Sequence, residues 1–492
     1  MVSFSEGLES QTAASVLVAI TLFTLFLFLS YALKRDSTGM KLPRGSMGLP
    51  VIGESWSFIE AYNDDKGAEW INERIVKYGP VFKTSLMGKP TVVVTGLEGN
   101  KFVFGANDAV LPTKQPITIS RIAGEHNLFE MSRNRYKLIK GAMMSFLKPE
   151  NLQVYVGIMD DLVKKEVLNE MEGKATIKAV PFMKYLTFNV SCALLFGVHD
   201  EPTKQALLED FFLAFKGVWS IPVSLPGTMF WKALKARSRI IKRMLPIVEK
   251  KREMLREGTL NPKSDVISSL VALLDDNGEP ITDEEIMDNI ITLMIASHDT
   301  TAILLSLIVW KLAREPKLRE KVQEEHEEII RERQGTKGNL TWNEVQKLKY
   351  TWRVAQELMR QIPIVSGSFR KAIQNITFAG YDIPKGWQVF WAASPTHMDK
   401  DIFVDPDHFD PARFEKQSHT NIPPFAYIPF GGGAHMCIGN EFARIEALTI
   451  IHNLVINFDW SQMIPDEKIT CQPMPYPSMG LPISLKQRTS FE

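Results

Sequence analysis

One cysteine stands where it could do chemistry. Cys437 closes the stretch Phe430-Gly431-Gly432-Gly433-Ala434-His435-Met436-Cys437-Ile438-Gly439. Three successive glycines let a backbone approach another group closely and take turns closed to other residues. Beyond them Phe442, Ile445, Leu448, Ile451 and Val455 recur at helical spacing. The thiol therefore precedes a helix N-terminus, where unpaired N–H groups and the helix dipole favour a thiolate. Such a loop can hold a flat, bulky group against the sulfur. A second stretch, Ala296-Ser297-His298-Asp299-Thr300-Thr301, sets an acid beside hydroxyls inside a long helical pattern. A third pair, Glu357 and Arg360, lies three residues apart, so a helix places both on one face.

The residues alone leave two readings of the cysteine loop. One is a structural turn. The other is an axial thiolate on haem iron, which pushes electron density toward bound oxygen and favours O–O cleavage. A phosphate cradle would need the Lys-Ser/Thr pair of a P-loop, which this loop lacks. The Asp299-Thr300 stretch is residue by residue unfavourable for a helix. It reads either as a polar helix face or as a site where side chains bond the backbone and open a kink. The chain has 3 cysteines, too few for a disulfide framework. Cys192 falls in an apolar helical stretch and Cys471 in a late loop before Pro473. Neither has electropositive neighbours, so both read as structural.

The elements that must position these groups are mostly helical. From Met143 to about Phe215 the pattern is helical with short breaks; Pro222 and Pro226 mark a loop; Lys232 to Glu257 is basic and helical. Thr282-Asp-Glu-Glu285 has the form of a capping box. It predicts a helix running to Arg314, ahead of Pro316. Arg314 to Gln334 carries Glu, Lys and Arg at helical spacing, a solvated helix face. Thr91 to Thr95 reads as a short buried strand, and the last quarter mixes strands, loops and a helix from about Asn440. The fold class is mainly α with a minor β region.

With 492 residues, length alone suggests about three domains, but no linker or repeat follows Gly53, which argues for one large body. Lys plus Arg is 57 and Asp plus Glu is 57, so the net charge is 0. That excludes a strongly basic nucleic-acid binder, and 45% hydrophobic residues exclude disorder. Ala13 to Leu33 carries no charge. At about 1.5 Å per residue it spans a bilayer core. Lys34 and Arg35 follow it, so the bulk of the chain belongs on the cytoplasmic side. The expected organisation is a luminal tail over 1–12, a transmembrane anchor over 13–33, a basic, Pro/Gly-rich elbow over 34–53 and a single large domain over 54–492. Three glycosylation patterns begin at Asn189, Asn339 and Asn375; a cytoplasmic body leaves them unmodified.

Four motifs taken together carry a resemblance. Phe430, Gly433, Cys437 and Gly439 match the haem-binding loop of the cytochrome P-450 superfamily, with His435 where the family usually has arginine. Glu357-Leu-Met-Arg360 is similar to its E-x-x-R element, Phe409-Asp-Pro-Ala-Arg413-Phe414 to its P-x-R-F element, and Ala296 to Thr301 to its oxygen-activating helix. Pro43-Arg-Gly-Ser-Met-Gly48, Gly367-Ser-Phe-Arg-Lys-Ala372, Ile383-Pro-Lys-Gly-Trp387 and Pro465-Asp-Glu-Lys-Ile469 resemble the plant microsomal clan that oxidises terpenoids.

The resemblance implies a cytochrome P-450 fold preceded by one N-terminal transmembrane helix at the endoplasmic reticulum membrane. It implies haem (heme, iron protoporphyrin IX) ligated by Cys437, and electrons from NADPH through a flavoprotein reductase. By analogy, Thr300 holds water and a proton path to iron-bound dioxygen, Asp299 relays protons, and Ala296 leaves room for oxygen. Arg370, Lys140 and His435 would face the haem propionates, and Glu357, Arg360 and Arg413 would support the cysteine loop. An apolar substrate would meet Ile117, Ile119, Leu293, Ile364, Val365 and Met479. The implied partners are the reductase, membrane lipid, O2 and an apolar small molecule, with no nucleic acid. The implied reaction is hydroxylation or further oxidation of a diterpenoid or triterpenoid. Two alternatives remain open at this stage: a haem-thiolate enzyme rearranging lipid hydroperoxides, and a non-catalytic haem-thiolate protein binding apolar ligands.

Overall fold

The computed structural model describes residues 18, 21–26, 39–131, 133–415, 422–471 and 474–488. Residues 1–12 and most of the expected anchor lie outside them. Within 13–33, residues 21–26 are helical and exposed.

The longest helix is Asp283–Arg314. Thr282 Oγ1 accepts the Glu285 N–H at 3.2 Å, and Glu285 Oε2 accepts the Thr282 N–H at 2.9 Å. This box satisfies two of the N–H groups a helix start leaves bare. Asp283, Glu284 and Glu285 open the helix; Lys311 and Arg314 close it, each matching the local end of the dipole. Among the described residues this is the helix long and apolar enough to cross a membrane, yet 78% of its most apolar window is buried in the protein. Its apolarity serves the core. The charged run after it forms Pro316–Glu332, which buries Leu318, Val322, His326 and Ile329 along one stripe.

A four-stranded sheet runs in the order Val81–Leu86, Lys89–Val94, Gln388–Ala392, Gly367–Lys371. The first two strands form a hairpin whose turn residues, Met87 and Gly88, have φ of 53° and 71°, as a tight right-twisting hairpin requires. Lys89–Val94 then pairs parallel with Gln388–Ala392, and its Val92, Val93 and Val94 are fully buried. The elbow lies along the first strand: Lys83 N donates to Arg44 O at 2.9 Å, and Glu54 N to Ser85 O at 2.9 Å.

Two short strands run against the sequence reading. Thr176–Lys178 interrupts the stretch expected to be helical, and Cys471 ends the strand Ile469–Cys471 instead of lying in a loop. Ile469–Cys471 pairs with Pro475–Pro477. Three-residue strands are too short to show a period of two.

Candidate active site

The cysteine loop is shaped by contact with the sheet-side core. Phe104 lies in the last turn of the helix Gly96–Gly105 and is buried among Val92, Val94, Val389 and Trp391. A Cβ added at Gly433 would lie 1.9 Å from the Phe104 carbonyl oxygen, and Gly433 has φ +62°. Only glycine meets both conditions. Cys437 N donates to Phe430 O at 2.9 Å, which closes the turn before the helix Asn440–Asn457.

Cys437 has accessible surface although protein surrounds it, so its sulfur faces an interior hollow. Burial pushes its thiol up, while the Gly439 N–H and the Lys140 cation pull it down toward thiolate. Ala296 is likewise exposed in mid-helix between buried turns.

Four elements converge beside the loop. Tyr136 hydroxyl donates to Ala434 O at 2.9 Å, and the Lys140 ammonium bonds the same carbonyl. His435 Nε2 lies 2.6 Å from Asp108 Oδ1, and its ring packs on Tyr136 at 4.6 Å. Arg370 Nη1 donates to Thr113 Oγ1 at 2.9 Å and lies 4.0 Å from Asp108. Burial lowers Lys140 and Arg370 and raises Tyr136 to about 12. Burial also holds His435 below its ordinary value despite the Asp108 bond. A cavity of about 170 Å³ opens here, lined by Asp108, Thr113, Lys114, Glu130, Lys371 and His435.

The donor set fits a haem. One thiol has an N–H and a cation nearby, and two cationic side chains, Lys140 and Arg370, stand with the His435 ring where anionic groups need partners. Lys140 and His435 already hold Ala434 and Asp108, whereas Arg370 is held by the neutral Thr113.

On the long helix, Thr300 Oγ1 donates to Ala296 O at 2.7 Å. Ser297 meets Ser191 at 3.0 Å, and Thr187 Oγ1 donates to His298 O at 3.2 Å, so the helix Ala179–Leu194 pins this segment. Asp299 and His298 are buried, contrary to a solvated polar face. His298 is wrapped by Phe188, Phe211 and Phe212. Asp299 Oδ1 lies 3.1 Å from Lys184 Nζ, 3.0 Å from the Tyr476 hydroxyl and 3.4 Å from His298 Nδ1. Burial pushes the Asp299 carboxyl up, but His298 and Lys184 outweigh it and hold it below the usual range.

Behind the loop, Glu357 and Arg360 are fully buried on the helix Lys349–Gln361. Arg360 donates to both carboxylate oxygens, at 2.7 and 2.8 Å. Arg413 Nε joins the same carboxylate at 3.2 Å, and Asp410 N at 3.0 Å. The two guanidiniums reach out to the carbonyls of His397, Pro406, Asp405 and His408. One carboxylate thus ties together the meander from 397 to 413.

The six expected substrate contacts are less uniform. Leu293 is buried; Ile119 and Ile364 are half-buried against the core; Ile117, Val365 and Met479 are exposed. Asp108, Thr113, Lys184 and the Asp299 bond of Tyr476 escape sequence reasoning. Their partners lie 115 to 327 residues away, and no local pattern encodes such a meeting.

The sequence model of the cytochrome P-450 family matches residues 43–487. The chain is 37% identical over 474 residues to the beta-amyrin 28-monooxygenase of Kalopanax septemlobus, covering 95% of this chain and 97% of that one. It is 37% identical over 475 residues to the enzyme of that name in Medicago truncatula, covering 96% and 97%. Among solved structures, retinoic acid-bound cyanobacterial CYP120A1 superposes with a TM-score of 0.81 at 30% identity, over 92% of this chain and 100% of that one.

Proposed function

The chain belongs to the cytochrome P-450 family, and on that premise we propose that it oxidises a triterpenoid skeleton at a membrane surface. It is a haem-thiolate monooxygenase drawing electrons from NADPH through a reductase. The observation that carries the substrate class is the 37% identity across 95% of the chain to a beta-amyrin 28-monooxygenase. A pentacyclic, nearly all-hydrocarbon substrate suits a mainly apolar pocket with a few polar contacts.

The haem, when bound, supplies the oxygen-activating chemistry of a thiolate-ligated iron. The chain's own residues do the rest. Cys437 is the ligand, at the end of a loop fixed by Gly433 against Phe104. Arg370 and Lys140 offer the cations for the propionates, with the His435 ring beside them. Glu357, Arg360 and Arg413 hold that loop's surroundings. Ala296 keeps space open beside the long helix, Thr300 presents a hydroxyl there, and Asp299 moves protons to it from outside. Ile117, Ile119, Leu293, Ile364, Val365 and Met479 are our proposed substrate contacts.

We place the anchor at 13–33, with 1–12 luminal and the haem domain, 54–492, on the cytoplasmic side of the endoplasmic reticulum. Exposed apolar side chains support this placement: Leu22, Phe23 and Phe26 in the anchor, and Leu49, Val51, Ile52 and Trp56 at the elbow.

The test is turnover of beta-amyrin and a panel of diterpenes and triterpenes by full-length chain with a plant reductase and NADPH. The reduced carbon monoxide spectrum establishes the thiolate–haem bond first. NADPH-dependent incorporation of one oxygen-18 atom from labelled O2 is the expected result. Conversion of a lipid hydroperoxide without NADPH, or binding spectra without product, would overturn the proposal.

A further inference from the structure

The surroundings of Asp299 are asymmetric at the level of single atoms. Three groups from three elements meet Oδ1. Lys184 Nζ approaches at 3.1 Å from the helix Ala179–Leu194, and the Tyr476 hydroxyl at 3.0 Å from the hairpin strand Pro475–Pro477. His298 Nδ1 stands at 3.4 Å. Among the described residues Oδ2 takes no hydrogen bond, and the side chain keeps 3% exposure. The two outer donors also hold each other: Lys184 Nζ sits 4.2 Å from the centroid of the Tyr476 ring, a cation–π contact. Lys184 is 26% exposed and so reaches from solvent to an acid that is otherwise buried.

A carboxylate that must pass protons needs one oxygen held and the other available. A freely rotating carboxyl would present either oxygen and lose the alignment that proton transfer demands. We propose that Lys184 and Tyr476 are positioning residues for Asp299: they bind Oδ1 and thereby hold Oδ2 as the oxygen that hands protons toward Thr300. The inference rests on the reading of Asp299 and Thr300 as the proton path. In each cycle Oδ2 takes a proton from solvent water and gives it to the Thr300 hydroxyl, which releases its own proton toward the dioxygen being reduced, so carboxylate and hydroxyl are both restored. Tyr476 stands three residues before Met479, one of the proposed substrate contacts. The hairpin that carries this proposed contact thus also holds the proton-handling acid.

The neighbours explain the charge state this requires. Burial alone pushes the Asp299 carboxyl up; His298 and Lys184 reverse that. Tyr476 is driven well above its ordinary value, first by burial and then by Asp299. It therefore remains a hydroxyl donor throughout the working pH range. The groups facing Asp299 are Lys184, His298 and Tyr476.

The experiment uses full-length enzyme with reductase. NADPH oxidation, product and peroxide are followed with beta-amyrin as the probe and, in parallel, without added triterpenoid. Tyr476→Phe removes one donor and keeps the ring; Lys184→Met removes the other; Lys184→Arg is the conservative control. Haem content, the carbon monoxide spectrum and KM should hold. NADPH oxidation should slow about three- to tenfold with a larger solvent isotope effect, as expected of a misaligned proton transfer. In Lys184→Met the acid limb of the pH–rate profile should move to higher pH, because the carboxylate has lost a cation, and Lys184→Arg should restore it. On an Asp299→Asn background both changes should have no further effect.

If Asp299→Asn slows turnover but Tyr476→Phe and Lys184→Met do not, the positioning role is overturned while the proton path stands. If the two variants slow turnover equally on the Asp299→Asn background, their effect does not pass through Asp299 and the proposal fails. If Asp299→Asn itself leaves rate, isotope effect and coupling unchanged in both conditions, the underlying proton path is what fails.

Discussion

Removing one carboxylate should cost this protein its haem. In Glu357→Ala, Arg360 loses both bonds to Oε1 and Oε2, and Arg413 loses its bond at 3.2 Å. All three side chains are buried, so the two guanidiniums are left charged, close together and out of water. Breaking a buried pair this way costs about 3–5 kcal/mol. Against a total stability of about 5–15 kcal/mol, that is a large fraction. At about 1.4 kcal/mol per decade it shifts the folding equilibrium by roughly two to three and a half orders of magnitude. Arg413→Ala should cost less, because Glu357 keeps both bonds from Arg360. The double variant should be less destabilised than the sum by about 0.5–3 kcal/mol, since it leaves one orphaned cation instead of two. Thermal unfolding in detergent, together with the ratio of haem absorbance to protein, reads all three. A Glu357→Ala protein with an unchanged unfolding midpoint and full haem content would show that the network does not hold the loop. Additive losses would show that the two arginines do not share the carboxylate.

Three further outcomes are expected. Gly433→Ala should give protein with little haem, because its Cβ meets the Phe104 carbonyl at 1.9 Å; a full Soret-to-protein ratio would contradict the packing. Thr300→Ala should divert electrons from product to peroxide, measured as peroxide released per NADPH; unchanged coupling would remove Thr300 from the proton path. Stability should fall as pH falls from about 6.5 toward 4. Burial holds His397 at about 4 and His452 at about 3, so both are neutral when folded while the unfolded chain takes up protons through this window. His397 Nε2 accepts the Ile428 N–H at 2.9 Å, and His452 shares a 3.0 Å contact with His326, bonds that extra protons would break. A denaturation midpoint flat across that pH range would refute this, and His397→Gln should shrink the slope.

What was legible in the sequence was local. The capping box at Thr282 and Glu285, the Glu357–Arg360 spacing and the glycine run before Cys437 are each encoded within a few residues, and each forms the local structure its spacing suggests. The long-range partners were not legible. Nothing near His435 announces Asp108, 327 residues away. His298 sits between a serine and an aspartate and reads as part of a polar helix face. The fold instead buries it among three phenylalanines contributed by two other helices. Asn189 shows the same effect: it matches a glycosylation pattern, yet at 2% exposure no transferase could reach it in the folded chain. The substrate contacts were the weakest part, because an apolar residue reads alike whether it faces a ligand or the core.

The parallel pairing of Lys89–Val94 with Gln388–Ala392 sets a timetable for synthesis. About 300 residues separate the two strands. At about 5–20 residues per second, a ribosome needs roughly 15–60 s to cover them. Throughout that interval the finished hairpin carries an open edge ending in Val92, Val93 and Val94, side chains that end fully buried. An unpaired apolar edge is a template for the wrong partner. Yield in a foreign host should therefore depend on chaperones able to cover this edge until the late strand emerges. Mutations that blunt it, far from any haem contact, are the ones to try first when expression fails.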